Sequence, residues 1–297
     1  MSTHRSIPLS PMADGPRSGP CLAGAFSLVE LLVVIATFAT LLSLLLPSLG
    51  SAREAGRSTV CLSNLRQAVI AVTSYAYDFR GVAPPGAANF LANRNRWHGS
   101  RAHAQQPFSP AAGPLAGYLA STASGTADMG VRTCPSFSAT LRTLADAGAG
   151  FERGCGGYGY NNAFLGVVRR RSASNHNAWL LVTDRSGSAL HRFRRPDSTL
   201  AFADAAFADP APAGGLIEYS FLEPRFWPDS PGNRPDPSIH ARHAGRNARA
   251  NLAFLDGHAE PRPIAFTWSS GLYPQPAVDA QIGWPGADDN NGLFDYD

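Results

Sequence analysis

The feature that most constrains this chain is an apolar segment near its N-terminus, from Phe26 to Leu46. A helix of these 21 residues would be about 30 Å long, which is the hydrocarbon thickness of one bilayer. The polar residues within it are Ser27, Glu30, Thr37, Thr40 and Ser43. The segment therefore predicts a single transmembrane helix.

The order of the flanking residues separates this segment from an ordinary secretory signal peptide. Such a peptide has an apolar region of about 7 to 15 residues, and its small-residue cleavage site follows that region. Here the small residues Ala23, Gly24 and Ala25 come before the apolar run. Cleavage after Ala25 would leave the hydrophobic helix at the N-terminus of the mature chain.

One carboxylate, Glu30, lies four residues after Phe26. An ionised Glu in a membrane helix costs on the order of 2 to 3 kcal/mol unless it is paired. A new amine at Phe26 of a neighbouring subunit would be a suitable partner. The alternative is that Glu30 reaches the lipid headgroups as an ordinary helix-end residue.

Apolar residues continue at helical spacing after the membrane segment. Spacings of three and four predict that the helix extends to about Phe79, where Gly81 and "APPG" end it. Cys61 is expected to be a small buried residue without chemistry. The apolar stripe consists of Leu62, Leu65, Val69, Val72, Ala76 and Phe79, and the residues expected to be solvated are Arg53, Glu54, Arg57 and Arg66.

The motif "FSLVELLVVIA", with a small residue before Phe26 and Glu30 after it, resembles the cleavage and methylation segment of type IV prepilins and type II secretion pseudopilins. The resemblance implies that a membrane peptidase cuts after Ala25 and methylates the new amine of Phe26. It also implies that Glu30 guides subunits into a helical filament. Most relatives have Gly where this chain has Ala25, and a Pro such as Pro47 often ends the apolar run.

The segments "SAREAGRSTVCLSNLRQ", "TCPS", "GYGYNNAF" and "LAFLDGHAE" resemble one large group of prepilin-type proteins with a C-terminal His-x9-Asp-Gly signature. The corresponding residues here are His243, Asp256 and Gly257. Twelve residues separate His243 from Asp256, so the spacing is three residues longer than in the signature. The group has no established biochemical activity that the resemblance could bring to this chain.

These features predict an α+β, pilin-like fold: a long N-terminal helix packed on a mainly antiparallel β head domain with long loops. The expected parts are a leader at 1–25, a transmembrane helix at 26–46, a helical stem at 47–80 and a head domain at 81–297. Strands are expected within "NAWLLVTD", "STLAFADAA", "GLIEYSFLE" and "ANLAFLDGHAEPRPIAF". Asp256-Gly257 predicts a two-residue type I′ hairpin turn.

Cysteine spacing gives a further expectation. In an exported head, Cys134 and Cys155 would close a loop of about twenty residues with a disulfide, stabilising the fold by roughly 3 kcal/mol. Two free thiols are the alternative. A zinc site is less well supported, because neither residue belongs to a Cys-x-x-Cys pair.

Two other groups of residues offer metal ligands. His240, His243, His258 and Asp256 could converge on a metal or form an acid/base pair, although the turn alone explains Asp256 and an exposed strand start explains His258. The tail offers oxygen ligands suited to Ca²⁺, and the resemblance to major pseudopilins adds support for such a site, although a solvated terminus is the favoured interpretation. The tail candidates are Asp288, Asp289, Asn291 and Asp295.

Charge limits the remaining function classes. All 25 basic residues are Arg, the net charge is +3, and the longest basic run is Arg169 to Arg171, so nucleic-acid binding is not expected. We expect a structural, non-enzymatic pilin-like subunit in the inner membrane, with one membrane span and an extracytoplasmic head. Its expected partners are the prepilin peptidase and N-methyltransferase, other pilin-like subunits and the membrane. The alternatives are a membrane-anchored binding module and a tethered hydrolase.

Overall fold

A computed structural model describes residues 27–104, 106–119, 130–146, 152–208, 215–243, 248–268 and 279–297. The predicted leader, with Ala25 and Phe26, lies outside the described residues. The chain divides into two compact units, Met1–Ser48 and Leu49–Asp297. The long helix α1, Leu28–Asp78, contributes residues to both units.

Helix α1 begins with a reciprocal cap. The backbone N–H of Glu30 donates to the Ser27 hydroxyl over 3.2 Å, and the N–H of Ser27 donates to the Glu30 carboxylate over 2.8 Å. This capping box satisfies two donors that the first turn of a helix otherwise leaves unpaired. Glu30 therefore has a local structural role besides the one expected in assembly.

The N-terminal part of α1 is apolar on all sides. Its large side chains, from Leu28 to Leu46, are exposed around the whole circumference, and an 18-residue window has a mean hydropathy of 2.5. A helix that is hydrophobic all round requires a surrounding apolar medium. By length and composition this segment fits a membrane span, and a signal sequence near an N-terminus has the same properties.

The second unit contains the rest of α1 and a mostly antiparallel β structure. Helix α2 is Ser138–Asp146, and short 3-10 turns lie at Phe90–Ala92, Pro110–Ala112, Gly130–Arg132 and Leu190–Arg192. The strands are β1 Asn95–Arg96, β2 Gly99–Ser100, β3 Tyr158–Tyr160, β4 Val168–Arg171, β5 Trp179–Thr183, β6 Leu200–Asp204, β7 Phe207–Ala208, β8 Leu216–Ile217, β9 Ile239–His240, β10 Arg249–Phe254, β11 Ala259–Phe266 and β12 Ile282–Pro285. The α+β class expected from the sequence is confirmed.

Six strands form the main sheet, in the order β3-β6-β10-β11-β12-β9, and every neighbouring pair is antiparallel. Two-stranded ribbons pair β1 with β2, β4 with β5, and β7 with β8. Strand β6 is buried along its whole length, which explains why its sequence "LAFAD" is a nearly continuous apolar run. Its one charged residue, Asp204, is therefore buried as well.

The hairpin between β10 and β11 forms at the expected place with a different turn. Phe254 donates its N–H to His258 and Gly257 donates its N–H to Phe254, both over 2.9 Å. Of Asp256 and Gly257, only Gly257 has positive φ, at 96°. The predicted type I′ turn is wrong, because three residues rather than two form the loop and only the last is left-handed.

The C-terminal part of α1 packs against one face of this sheet. The predicted stripe is confirmed at Leu65, Val69, Val72 and Ala76, all of which are buried. Burying a Leu or Val side chain contributes roughly 1.5 to 3 kcal/mol. Phe79 is a correction: it lies beyond the helix end, is 50% exposed, and stacks on Tyr75 with ring centroids 4.1 Å apart.

One predicted strand segment is mostly irregular. Within Gly215–Glu223 only Leu216–Ile217 is a strand, and Phe221 forms a single parallel bridge to Tyr160 of β3. Glu218 accepts the N–H groups of Gly154 and Gly156, and the carbonyl of Ser220 accepts the indole N–H of Trp97. The segment thus anchors loops beside the sheet.

Glu223 ends that segment with a buried carboxyl group. It accepts a hydrogen bond from the Tyr219 hydroxyl, and its backbone N–H donates to Ser238 over 2.9 Å. Burial raises its pKa to about 7 from the ordinary 4.5, and the nearby charge of Asp236 acts in the same direction. The folded state therefore binds this proton more tightly than the unfolded state does.

We predict that Glu223→Gln removes a pH-dependent loss of stability. The wild-type carboxyl group is protonated in both states below about pH 4.5 and is charged while buried above about pH 7, so its contribution to the free energy of unfolding falls across that interval. In thermal melts, the melting temperature of the variant should increase relative to that of the wild type as pH rises. A difference in melting temperature between the two proteins that does not change with pH would contradict this prediction. Glu260→Gln, at a half-exposed site, is the control.

Candidate functional site

Four side chains with metal-binding or nucleophilic chemistry meet beneath helix α1. Cys61, Cys134, Asp204 and His243 each place a ligand atom within 4.8 Å of the ligand atoms of the other three. All four residues are at most 1% exposed. Among the residues that the structure describes, no second group of this kind occurs.

Each member comes from a different part of the fold. Cys61 lies on the buried face of α1, and Asp204 is the last residue of β6. Cys134 is held by its N–H, which donates to Gly156 over 2.9 Å. His243 lies three residues after β9 and exchanges two backbone hydrogen bonds with Arg249, the first residue of β10.

The distances within the cluster are short. The Cys61 thiol donates to Asp204 Oδ1 over 3.2 Å. His243 Nε2 lies 3.2 Å from Asp204 Oδ2 and 3.7 Å from Cys134 Sγ. Both the carboxylate and the second thiol therefore face the same ring nitrogen of His243.

The cluster is held from outside by further hydrogen bonds. His243 Nδ1 lies 2.9 Å from Glu54 Oε1, and the Ser136 hydroxyl donates to the same oxygen over 2.6 Å. The backbone N–H of Asn251 donates to Asp204 Oδ2 over 2.7 Å. The expectation that Glu54 is merely solvated is wrong, because this side chain lies between α1 and His243.

Hydrogen bonds within the cluster favour opposite charges on neighbouring side chains. Burial opposes the charge on His243, but hydrogen bonds to Asp204 and Cys134 outweigh it and raise the pKa of His243 to about 10. Burial also opposes a thiolate at Cys134, but hydrogen bonds from Cys61 and His243 lower its pKa to about 6. Burial raises the pKa of Cys61. The cluster thus supports a Cys134 thiolate beside a His243 imidazolium.

Three kinds of chemistry are compatible with these residues: nucleophilic attack by a thiolate, a Cys61–Cys134 disulfide, and coordination of a metal ion. A nucleophile has to be reached by its substrate, and the burial of all four side chains gives a substrate no approach through the described residues. Cys61 is buried, as expected, and its thiol is one member of the cluster.

The possible convergence of His240, His243, His258 and Asp256, which was the less favoured interpretation of these residues, does not occur. Asp256 and His258 pair with each other on the hairpin, with Oδ1 and Nδ1 2.6 Å apart. His243 pairs with Arg249 at the start of β10, and the hairpin follows the end of this strand. The six residues of β10 therefore place His243 about 17 Å from the hairpin. His240 is buried against Phe137, and burial lowers its pKa well below the ordinary value.

The predicted disulfide between Cys134 and Cys155 is not formed. Both residues are free and buried. Cys134 faces Cys61 and His243, whereas the Cys155 thiol donates to Glu218 over 3.6 Å. The two thiols therefore have different partners.

The predicted calcium ligands of the tail also have separate partners. Asp289 pairs with Arg234 over 2.5 Å, and Asn291 accepts the N–H of Phe226 over 2.9 Å. Asp295 accepts the N–H of Asp297, and burial raises its pKa to about 6. Asp288 is exposed. These side chains do not form a common oxygen cage in the described tail.

Comparison with protein-family models, with curated proteins and with solved structures finds no match to this chain.

We predict that Asp204→Asn lowers the free energy of unfolding by about 3 to 5 kcal/mol, because it removes the buried carboxylate that pairs with Nε2 of His243 over 3.2 Å. Denaturant titration of the detergent-extracted chain, followed by Trp fluorescence, would measure this. The exposed Asp197→Asn should change stability by less than about 0.5 kcal/mol. Equal small effects of the two substitutions would contradict the central role of Asp204.

Proposed function

We propose that this chain is a pilin-like or pseudopilin-like structural subunit, processed after Ala25 and assembled in an inner-membrane-based filament of the type II secretion or type IV pilus kind. One observation carries the proposal: a single 51-residue helix is apolar all round in its first part and amphipathic in its second. The first part suits lipid or neighbouring helices. The second part serves as the core helix of the head.

The N-terminal residues support the same reading. Processing after Ala25 would make Phe26 the terminal amine, immediately before the capping box of Ser27 and Glu30. The amine of a neighbouring subunit would then meet a carboxylate already fixed at a helix N-terminus. Pairing the two would remove the cost of an isolated charge in an apolar medium. In this proposal the head is extracytoplasmic and the span crosses the membrane once.

The head also contains an observation that favours a second candidate, a membrane-anchored binding module. A hollow of about 550 Å³ is lined by three Arg, two aromatic residues and one carboxylate: Arg171, Arg192, Arg194, Trp179, Tyr296 and Asp297. Arg171 lies over the Trp179 ring at 4.4 Å and Arg192 over the Tyr296 ring at 4.0 Å. Guanidinium groups beside aromatic faces suit an anionic polymer. Binding of such a polymer by a chain that never enters filaments would favour this candidate.

We predict that the mature chain begins with N-methyl-Phe26. Mass spectrometry of the membrane-extracted protein should find this residue in the wild-type strain and an intact leader in a strain lacking the prepilin peptidase. An intact leader in both strains would contradict the filament proposal, and so would cleavage after Leu46.

We predict that Glu30→Gln is processed and inserted normally but enters cross-linked oligomers at least tenfold less, equivalent to about 1.4 kcal/mol. Gln at this position preserves the capping box, so the variant removes the charge while it keeps the helix start. Thr40→Ala, which changes another exposed polar residue of the same segment, is the control. Wild-type oligomer yields for Glu30→Gln would show that Glu30 is a cap alone.

A further inference from the structure

We propose that Cys61, Cys134, Asp204 and His243 are the four ligands of a structural transition-metal ion, and that Zn²⁺ is the ion they bind. The proposal goes beyond the filament role and does not depend on it. Two thiols, one imidazole and one carboxylate are all ligand types that proteins use for zinc. Four protein ligands and complete burial correspond to a closed structural site rather than a catalytic one with an open position.

The spacing of the donor atoms agrees with a tetrahedral site. Metal–ligand distances of about 2.0 to 2.3 Å place neighbouring ligand atoms of a tetrahedron about 3.3 to 3.8 Å apart. Cys61 Sγ lies 3.2 Å from Asp204 Oδ1, and His243 Nε2 lies 3.2 Å from Asp204 Oδ2 and 3.7 Å from Cys134 Sγ. With one ligand atom taken from each residue, no separation exceeds 4.8 Å. An ion at the centre therefore requires only small side-chain movements.

The surrounding contacts are those that orient metal ligands. A ligating His commonly donates its other ring N–H to a carboxylate, which fixes the tautomer and the ring orientation. Glu54 occupies that place on Nδ1 of His243, 2.9 Å away, and is itself held by Ser136. The backbone N–H of Asn251 holds Asp204 in the same way.

A disulfide between Cys61 and Cys134 accounts for less of this arrangement. It would explain two of the four residues, but not why His243 Nε2 lies within 3.7 Å of both Cys134 Sγ and Asp204. A metal ion explains all four orientations. On binding, the ligands lose their remaining protons to solvent. The 2+ ion compensates two of the three negative charges of the thiolates and the carboxylate, and the Arg242 guanidinium lies 4.0 Å from Asp204 Oδ1.

The test uses the full chain, extracted from membranes in detergent. Elemental analysis should find about one zinc per chain, and X-ray absorption at the zinc edge should show two sulfur and two nitrogen or oxygen ligands. Replacement with Co²⁺ should give the visible spectrum of tetrahedral thiolate ligation. A folded chain with less than a tenth of an equivalent of metal after exposure to Zn²⁺ under reducing conditions would overturn the proposal. So would a native Cys61–Cys134 disulfide found by peptide mapping, or a zinc site without sulfur.

Variants separate the cluster from other thiols and carboxylates of the chain. Cys134→Ser should reduce zinc content at least tenfold, whereas Cys155→Ser, at an equally buried cysteine outside the cluster, should keep it. Glu54→Gln retains all four ligands and should raise the Kd for Zn²⁺ about 10 to 100-fold, with Glu260→Gln as its matched control. Unchanged zinc binding in both Cys134→Ser and Glu54→Gln would overturn the ligand assignment.

Discussion

The buried carboxylate of Asp204 is the interaction on which the rest of the head depends. It accepts hydrogen bonds from Cys61 in the helix and from the backbone of Asn251 in the next strand, and it lies against the His243 imidazole. A charge placed in an apolar interior is costly unless several partners compensate it. These partners come from separate parts of the chain, so the carboxylate sets where helix and sheet meet.

Other polar side chains of helix α1 also form hydrogen bonds to the rest of the head. Asn64 donates to Thr133 over 3.1 Å, Ser58 and Asn251 bond to each other, and Arg66 donates to Ala259 over 3.1 Å. Burial of Leu65 and Val69 supplies the driving force, while the directional bonds select one register of helix against sheet. This division explains why a stripe of modest width is enough to position a long helix.

Sequence reasoning succeeded where local chemistry decides the structure. The apolar run and the stem periodicity predicted one helix to about residue 79, and the observed helix ends at Asp78. Strands β5, β6 and β11 lie within predicted segments, and β10 begins one residue before its segment, at Arg249. It failed where the partner is distant: Glu218 bonds to Gly154 and Gly156, and no local pattern in "GLIEYSFLE" contains that information.

The candidate site shows the same limit. His243 was identified from its motif, but its partners were sought in the nearby Asp256 and His258, which pair on the hairpin instead. Cys61, Cys134 and Asp204 were each explained without the others, since the contacts span 143 and 109 residues. The available signal was the Asp in "LAFADAA", because a carboxylate in an otherwise apolar strand has to find a buried partner.

These long sequence separations have a consequence for the order of folding. Helix α1 is made first, yet the strand that supplies Asp204 and the loop that supplies His243 come 143 and 182 residues after Cys61. Loop closure over such distances is slow, and contacts of this kind form late. The core of the head therefore cannot be complete before nearly the whole chain has left the ribosome. In a truncated chain, the face of α1 that is buried in the native head would remain accessible to proteases and chaperones.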